Sequence, residues 1–305
     1  MSETSGTTED ARARAPGVAE IVSFVRALVE LSKPGITRMV LFTTALGAAI
    51  APGPVRDWTK FGYALLGTSL IVAAANALNM FLEGDVDALM KRTRERPIPS
   101  GRISPEVALW FGGALAFTGL PILDFCVNPL TAFIGGFSLL SYVLVYTPLK
   151  RLSSVAVWVG AVPGAAPPLM GYTAMTSRLD AVGLSLFALL FIWQIPHFHA
   201  IALFRTSEYT RAGLVVLPAS RGVDHTKRVI VALLCLQLLV SALPAWLGLG
   251  GVPYIVSAVV LGLAYLAYGI AGFYREDHEK WARSLFFASL PYLVVLFGAL
   301  VLFTK

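Results

Sequence analysis

Asn79, Glu83 and Asp87 fall at positions i, i+4 and i+8, at the end of an apolar stretch of the chain. On a helix the three form one stripe that turns about 80° in all. Such a stripe offers oxygen ligands of the kind a hard cation such as Mg2+ prefers, with the remaining positions left to water and phosphate oxygens. Asp85 points away from the stripe on a continuous helix, and Gly84 permits a break that would bring it back. Basic residues follow directly: Lys91, Arg92, Arg94, Arg96 and Arg102. Acid followed by base suits a metal-bridged diphosphate, in which carboxylates hold the metal and guanidinium groups grip the spare phosphate oxygens. Pro97, Pro99 and Gly101 then end the helix and shape a loop. An ordinary solvated loop would account for the basic residues alone. It does not account for the acids, which add nothing to topology and cost free energy if submerged.

A second polar segment spans 191–222. It sets Gln194, His197 and His199 inside an apolar block, with Arg205, Glu208, Tyr209 and Arg211 beyond it. The two histidines are two residues apart, about 200° around a helix, so they cannot share one metal from a regular face and have independent roles. Between the two segments lies YTPLKR at 146–151. Lys150 and Arg151 read there as snorkelling anchors, while Tyr146 and Lys150, four apart on one face, could also reach a phosphate.

The elements that must carry these groups are membrane helices. Of 305 residues, 56% are hydrophobic and only 14% charged, against roughly a quarter charged in soluble domains. The apolar residues come in blocks near the length a bilayer core requires, roughly 20 residues. Nine can be drawn: 36–55, 61–82, 107–123, 129–149, 152–175, 179–204, 229–249, 252–274 and 284–303. The expectation is an all-α, polytopic membrane protein of nine transmembrane helices around a central cavity, occupying residues 31–305. Residues 1–30 form an N-terminal segment, partly disordered, with neither a secretory nor a transit signature in its first 18 residues.

Of the 24 Lys and Arg residues, fifteen fall in the loops after helices two, four, six and eight, against three after helices one, three, five and seven. The positive-inside rule therefore puts the even loops and the N-terminus in the cytoplasm and the C-terminus opposite. The net charge of +6 follows this topology rather than marking a nucleic-acid surface. Cys126 and Cys235 form no disulfide framework or zinc pattern.

Taken together these segments resemble the intramembrane UbiA-type aromatic prenyltransferase superfamily and, within it, the protoheme IX farnesyltransferases (heme O synthases). The resemblance is carried by SKPGIT at 32–37, the Asn79/Glu83/Asp87 ladder with DVDALMKRTRERPIPSGRIS at 85–104, and YTPLKR at 146–151. It continues through GAAPPLMGY at 164–172, WQIPHFHAIALF at 193–204 and RSLFFASLPYLVVLF at 283–297. The DxDxxMxRTxxRP and QIPHF patterns are specific to the heme branch.

The resemblance implies transfer of a farnesyl group from farnesyl diphosphate to a vinyl group of heme b, with Mg2+ as cofactor, in a bacterial cytoplasmic membrane. It implies a heme A synthase acting downstream for heme-copper oxidase biogenesis. Residue by residue, Asn79, Glu83 and Asp87, with Asp85 alongside and Glu208 as a further acid, would serve the metal and catalysis. Lys91, Arg92, Arg96, Lys150, Arg151 and Arg205 would bind diphosphate, and His197, His199 and Tyr146 would face the heme acceptor. Three positions depart from the superfamily pattern: Glu83 stands for Asp, the second loop offers only Glu208 where paired acids are usual, and Ala156 replaces an Asn found in related sequences.

Three rivals predict different features. A UbiA-type enzyme acting on a quinone precursor or chlorophyllide would not need the histidine pair. A transporter would spread charges over several central helices. An electron carrier would need axial heme ligands on facing helices, which four histidines in all, two of them at i and i+2, supply poorly.

Overall fold

The structure, a computed structural model, describes residues 17–52 and 57–304. Expectations for the first 16 residues lie outside the described residues. Among the described residues the fold is helical, with no strand. In chain order the helices are α1 (Val18–Leu31), α2 (Pro34–Ile50), α3 (Trp58–Leu82), α4 (Gly84–Leu89), α5 (Pro105–Cys126) and α6 (Pro129–Leu149). They continue with α7 (Ala156–Thr176), α8 (Ala181–Phe204), α9 (Thr206–Arg211), α10 (Leu217–Arg221), α11 (Val223–Trp246), α12 (Gly251–Tyr274) and α13 (His278–Phe303).

Polar residues at the starts of several long helices satisfy one of their first amide groups. Asp57, Asn128, Asp180 and Asp277 accept from the backbone N–H three residues on, at 2.8, 2.8, 3.1 and 2.9 Å. Each cap spares a backbone donor where water is scarce, a contribution of about 1 kcal/mol in soluble helices.

Among the described residues seven helices are long and apolar enough to cross a membrane: α3, α5, α6, α8, α11, α12 and α13. Nine were expected. The two that fall short have physical reasons for it: α2 is only 17 residues long, and α7 is diluted by Pro163, Pro167, Pro168 and its glycines. Both are nevertheless central to the packing, and α2 and α7 touch backbone to backbone. A methyl group on Gly171 would stand 1.8 Å from the Thr44 carbonyl oxygen, and one on Gly47 would stand 1.9 Å from that of Pro168. With no side chains between them, α7 sits deep in the bundle. So does α8, whose span is 72% buried, against 22% for α5 and 28% for α12 at the rim.

Two local irregularities shape one end of the bundle. The α3–α4 junction kinks at Glu83 (φ −111°, ψ 13°), where Gly84 begins the next helix. In α6, residues Ser141–Tyr146 form a π-helical segment in which the Thr147 amide donates to the carbonyl of Tyr142, five residues back. Pro148 has no N–H to give, so the helix cannot close its ordinary turn there. Single π turns of this kind are concentrated at functional sites.

Gly171→Ala is expected to destabilise the protein by about 1–3 kcal/mol, because α2 and α7 must part to admit the methyl group. Thermal unfolding in detergent micelles should show a lower midpoint. Gly113→Ala in α5, where nothing lies within 4 Å of the added methyl, should leave it unchanged or higher.

Candidate active site

The Asn79, Glu83 and Asp87 stripe survives the kink. Backbone bonds from Glu83 to Asn79 (3.0 Å) and from Asp87 to Glu83 (2.8 Å) carry the i to i−4 pattern straight through it. All three side chains are buried, at 2%, 5% and 1% exposure. Two carboxylates at that depth require counter-charges, and each has one. Glu83 pairs with Lys150 of α6. Asp87 takes Arg96 Nη1 on both oxygens, at 2.8 and 2.7 Å. Asn79 donates to Glu83 at 2.8 Å and to Thr147 at 3.2 Å, and its amide oxygen accepts from Lys33 Nζ at 3.0 Å.

Lys33 received no role from the sequence beyond its basic charge. It sits between α1 and α2 in the left-handed conformation (φ 45°), which non-glycine residues rarely adopt. That turn aims its ammonium into the cluster. Burial, with Arg96 and Lys150 nearby, pushes Lys33 down to about 7. The electrostatic cause is visible in the charges: three cations (Lys33, Arg96, Lys150) face two carboxylates. Its signal in the sequence is its place in SKPGIT at 32–37, directly before Pro34, whose fixed φ starts α2.

These groups line a cavity of about 690 Å3 that is shared by both polar segments. The loop after α8 folds onto the ladder. Val86, Met90 and Ala212 form a small core with Tyr209 and Leu214, and the Val215 amide bonds the Lys150 carbonyl at 3.0 Å. Arg92, Arg205, Tyr142, Tyr146 and Ala156 also line the cavity. The π segment of α6 presents Tyr142 and Tyr146 together, ring centroids 5.1 Å apart. Lys150 lies over the Tyr146 ring at 4.8 Å, so Tyr146 stands beside the acid cluster rather than with the histidines.

The kink at Glu83 exists, yet it does not return Asp85 to the stripe. Asp85 binds Arg151 through two bonds of 2.6 and 2.8 Å on the outer surface, and this guanidinium holds its carboxyl below the usual carboxylate range. Neither Asp85 nor Arg151 lines the cavity, and exposed Lys91 does not either. Glu208 is held by Arg205 at 2.7 Å and also lies outside the lining.

The histidines part company as their spacing requires. His197 is packed between Trp193 (4.8 Å) and Phe286 (4.7 Å), and its Nδ1 shares a 2.6 Å hydrogen bond with the Ser289 hydroxyl. It does not line the cavity and reads as a satisfied core residue. His199 does line it, and its buried Nε2 has no hydrogen-bond partner among the described residues. Gln194 also serves packing, donating to the backbone carbonyl of Ala161 at 2.9 Å.

Among the described residues no group of three or more carboxylate, imidazole or thiolate side chains is gathered as a metal site. The donor set of two carboxylates and one amide oxygen nevertheless fits a hard cation whose other ligands are phosphate and water. Each of the three oxygen-bearing side chains already holds a cationic side chain.

The lowered Lys33 has a pH consequence. Between pH 7 and 10.5 the unfolded chain keeps a proton that the folded chain releases, so stability rises with pH across that window. The metal-free protein should therefore show a higher thermal midpoint at pH 9 than at pH 7, and Lys33→Met should lose that rise. Equal trends in both proteins would show that Lys33 is not the titrating group.

The UbiA prenyltransferase family matches residues 40–290. A protoheme IX farnesyltransferase of Sorangium cellulosum is 52% identical over 243 residues, covering 80% of this chain and 87% of that one. A protein of the same name from Myxococcus xanthus is 49% identical over 275 residues, covering 90% and 93%. Among solved structures, a digeranylgeranylglyceryl phosphate synthase shares the fold with a TM-score of 0.79 at 17% identity, over 92% of this chain and 98% of that one. A UbiA homologue from Archaeoglobus fulgidus, bound to DMAPP and Mg2+, gives 0.68 at 16% identity, over 92% and 99%. With the family matched across most of its helices, this chain belongs to the UbiA prenyltransferases, as an integral membrane protein.

Proposed function

We propose that this protein transfers the farnesyl group of farnesyl diphosphate to a vinyl group of heme b, giving heme O and diphosphate. The observation that carries the proposal is a single cavity with two chemically different parts. One part is the buried Asn79, Glu83 and Asp87 cluster with its cations, and the other is an aromatic wall with an unpartnered buried His199. Relatives about half identical to the chain bear the name protoheme IX farnesyltransferase, which supports heme b as acceptor over a quinone precursor or chlorophyllide.

With Lys33 protonated, three cations against two carboxylates leave the cluster with one excess positive charge. A fully ionised diphosphate ester with one Mg2+ carries one net negative charge, so the pair cancels. Asn79, Glu83 and Asp87 would hold the metal, which supplies Lewis-acid neutralisation of the departing diphosphate. Lys33, Arg92, Arg96 and Lys150, released from their present partners or already facing the cavity, bind its free oxygens. The allylic C–O bond breaks with its electron pair passing to diphosphate, and these cations stabilise the charge that develops there. The vinyl π electrons of heme b attack the farnesyl C1, forming the C–C bond. Water adds to the resulting cation beside the porphyrin and loses a proton, leaving the hydroxyethylfarnesyl group. No protein nucleophile is required. Phe198, Phe204, Phe286 and Phe287 line the rest of the cavity and limit access of water to the allylic cation.

In this reading α2 and α7 also cross the bilayer, making nine spans. The basic end of the bundle faces the cytoplasm by the positive-inside rule, in a bacterial cytoplasmic membrane. The N-terminus lies on that side and the C-terminus opposite, and a heme A synthase would take the product onward.

Membranes containing the protein, incubated with heme b, farnesyl diphosphate and Mg2+, should yield a farnesylated heme identifiable by mass, and chelation should stop its formation. Asp87→Ala should lower turnover at least ~100-fold, the loss expected when transition-state charge stabilisation is removed, while the purified variant still folds, with an unfolding midpoint lowered by the loss of the Arg96 partner. Full activity in that variant, or product formation indifferent to chelator, would sink the reading.

A further inference from the structure

One cavity cation is left over by the chemistry described so far. Lys33, Arg96 and Lys150 belong to the acid cluster, and Arg205 is neutralised by Glu208. Arg92 extends from the loop that follows the ladder. Arg283 lines the cavity from the second turn of α13, and no carboxylate among the described residues pairs with it. Its placement is nevertheless fixed. The guanidinium carbon lies 5.4 Å from the centroid of the Phe204 ring, and that of Arg205 lies 5.5 Å from the same ring. Phe204 in turn packs edge-on against Phe286 at 5.9 Å. A cation–π contact of this kind holds a guanidinium near the ring and leaves its N–H groups for a ligand.

We propose that Arg283 binds a carboxylate of the acceptor and thereby orients it in the cavity. The inference rests on heme b as the acceptor. A heme is a flat apolar disc with two propionates along one edge, and its vinyl groups lie away from that edge. Arg283 is solvent-exposed whereas His199 is buried. A propionate held at Arg283 therefore keeps the charged edge at the wet mouth and turns the vinyl side inward, towards the diphosphate cluster. A planar guanidinium suits a carboxylate through two parallel hydrogen bonds. Arg283 thus acts as a positioning and specificity residue, selecting acceptors that carry an acidic edge.

The test changes the protein cation and the ligand anion separately. Binding of heme b and of its propionate dimethyl ester is followed by absorbance titration of the purified full-length protein in nanodiscs, alongside KM for farnesyl diphosphate. Arg283→Gln should weaken heme b binding about tenfold, the scale of one charge-assisted hydrogen bond. It should bind the diester as the unaltered protein does and keep the same KM for farnesyl diphosphate. Arg283→Lys should recover part of the loss. The inference is overturned if the variant raises KM for farnesyl diphosphate instead, which would make Arg283 a diphosphate ligand. It is overturned equally if both hemes weaken together, which would indicate packing alone, or if neither changes. Farnesyl transfer could persist through any of these results, so failure here would leave the proposed reaction standing.

Discussion

Two carboxylates buried to within a few per cent of complete enclosure set the terms for this structure. A buried carboxylate without a counter-charge would be neutralised or would force the site open. Glu83 and Asp87 avoid both by drawing Lys150 from α6 and Arg96 from the following loop, while Asn79 engages Lys33 ahead of α2. The loop after the ladder, the end of α6 and the start of α2 are thereby fixed on one point. The second loop then closes over it through Val86, Met90 and Ala212.

The rest of the bundle holds that point steady at little polar cost. Five of the long helices carry side-chain caps, and α2 and α7 meet at glycines so that backbone lies directly against backbone. Close approach through small residues is a general solution in membranes, where apolar burial alone supplies little drive for helices to associate. Proline in α7 is tolerable for the same reason, because neighbouring helices supply replacement contacts. The two helices that fall short, α2 by length and α7 by hydropathy, are thus among the best placed for packing.

What the sequence makes legible follows from this physics. The ladder can be read because its period is local and survives the kink at Glu83. The fold class follows from blocks of apolar residues, and the meeting of two polar loops follows from an even number of helices between them. The Asp85–Arg151 pair is invisible to spacing, because it joins residues 66 apart. His197 and His199 look alike in sequence and differ only through Ser289 and Phe286, which arrive from α13. Lys33 and Arg283 are hidden for another reason: each is absorbed into the tally of basic residues that fixes orientation. The span count is blurred where proline and glycine dilute α7.

The π-helical segment of α6 has a bearing on how this family can vary. A wide turn holds one residue more than an ordinary turn, so every side chain beyond it is rotated by about 100° relative to an uninterrupted helix. Tyr142 and Tyr146, within that segment, and Lys150, just beyond it, all line the cavity. The segment between Ser141 and Tyr146 is therefore a phase setting for the far end of α6. Losing a single residue there would leave the hydrophobic span almost unchanged in length while turning Lys150 away from Glu83. Insertions and deletions in this helix are constrained by angle rather than by thickness of the bilayer.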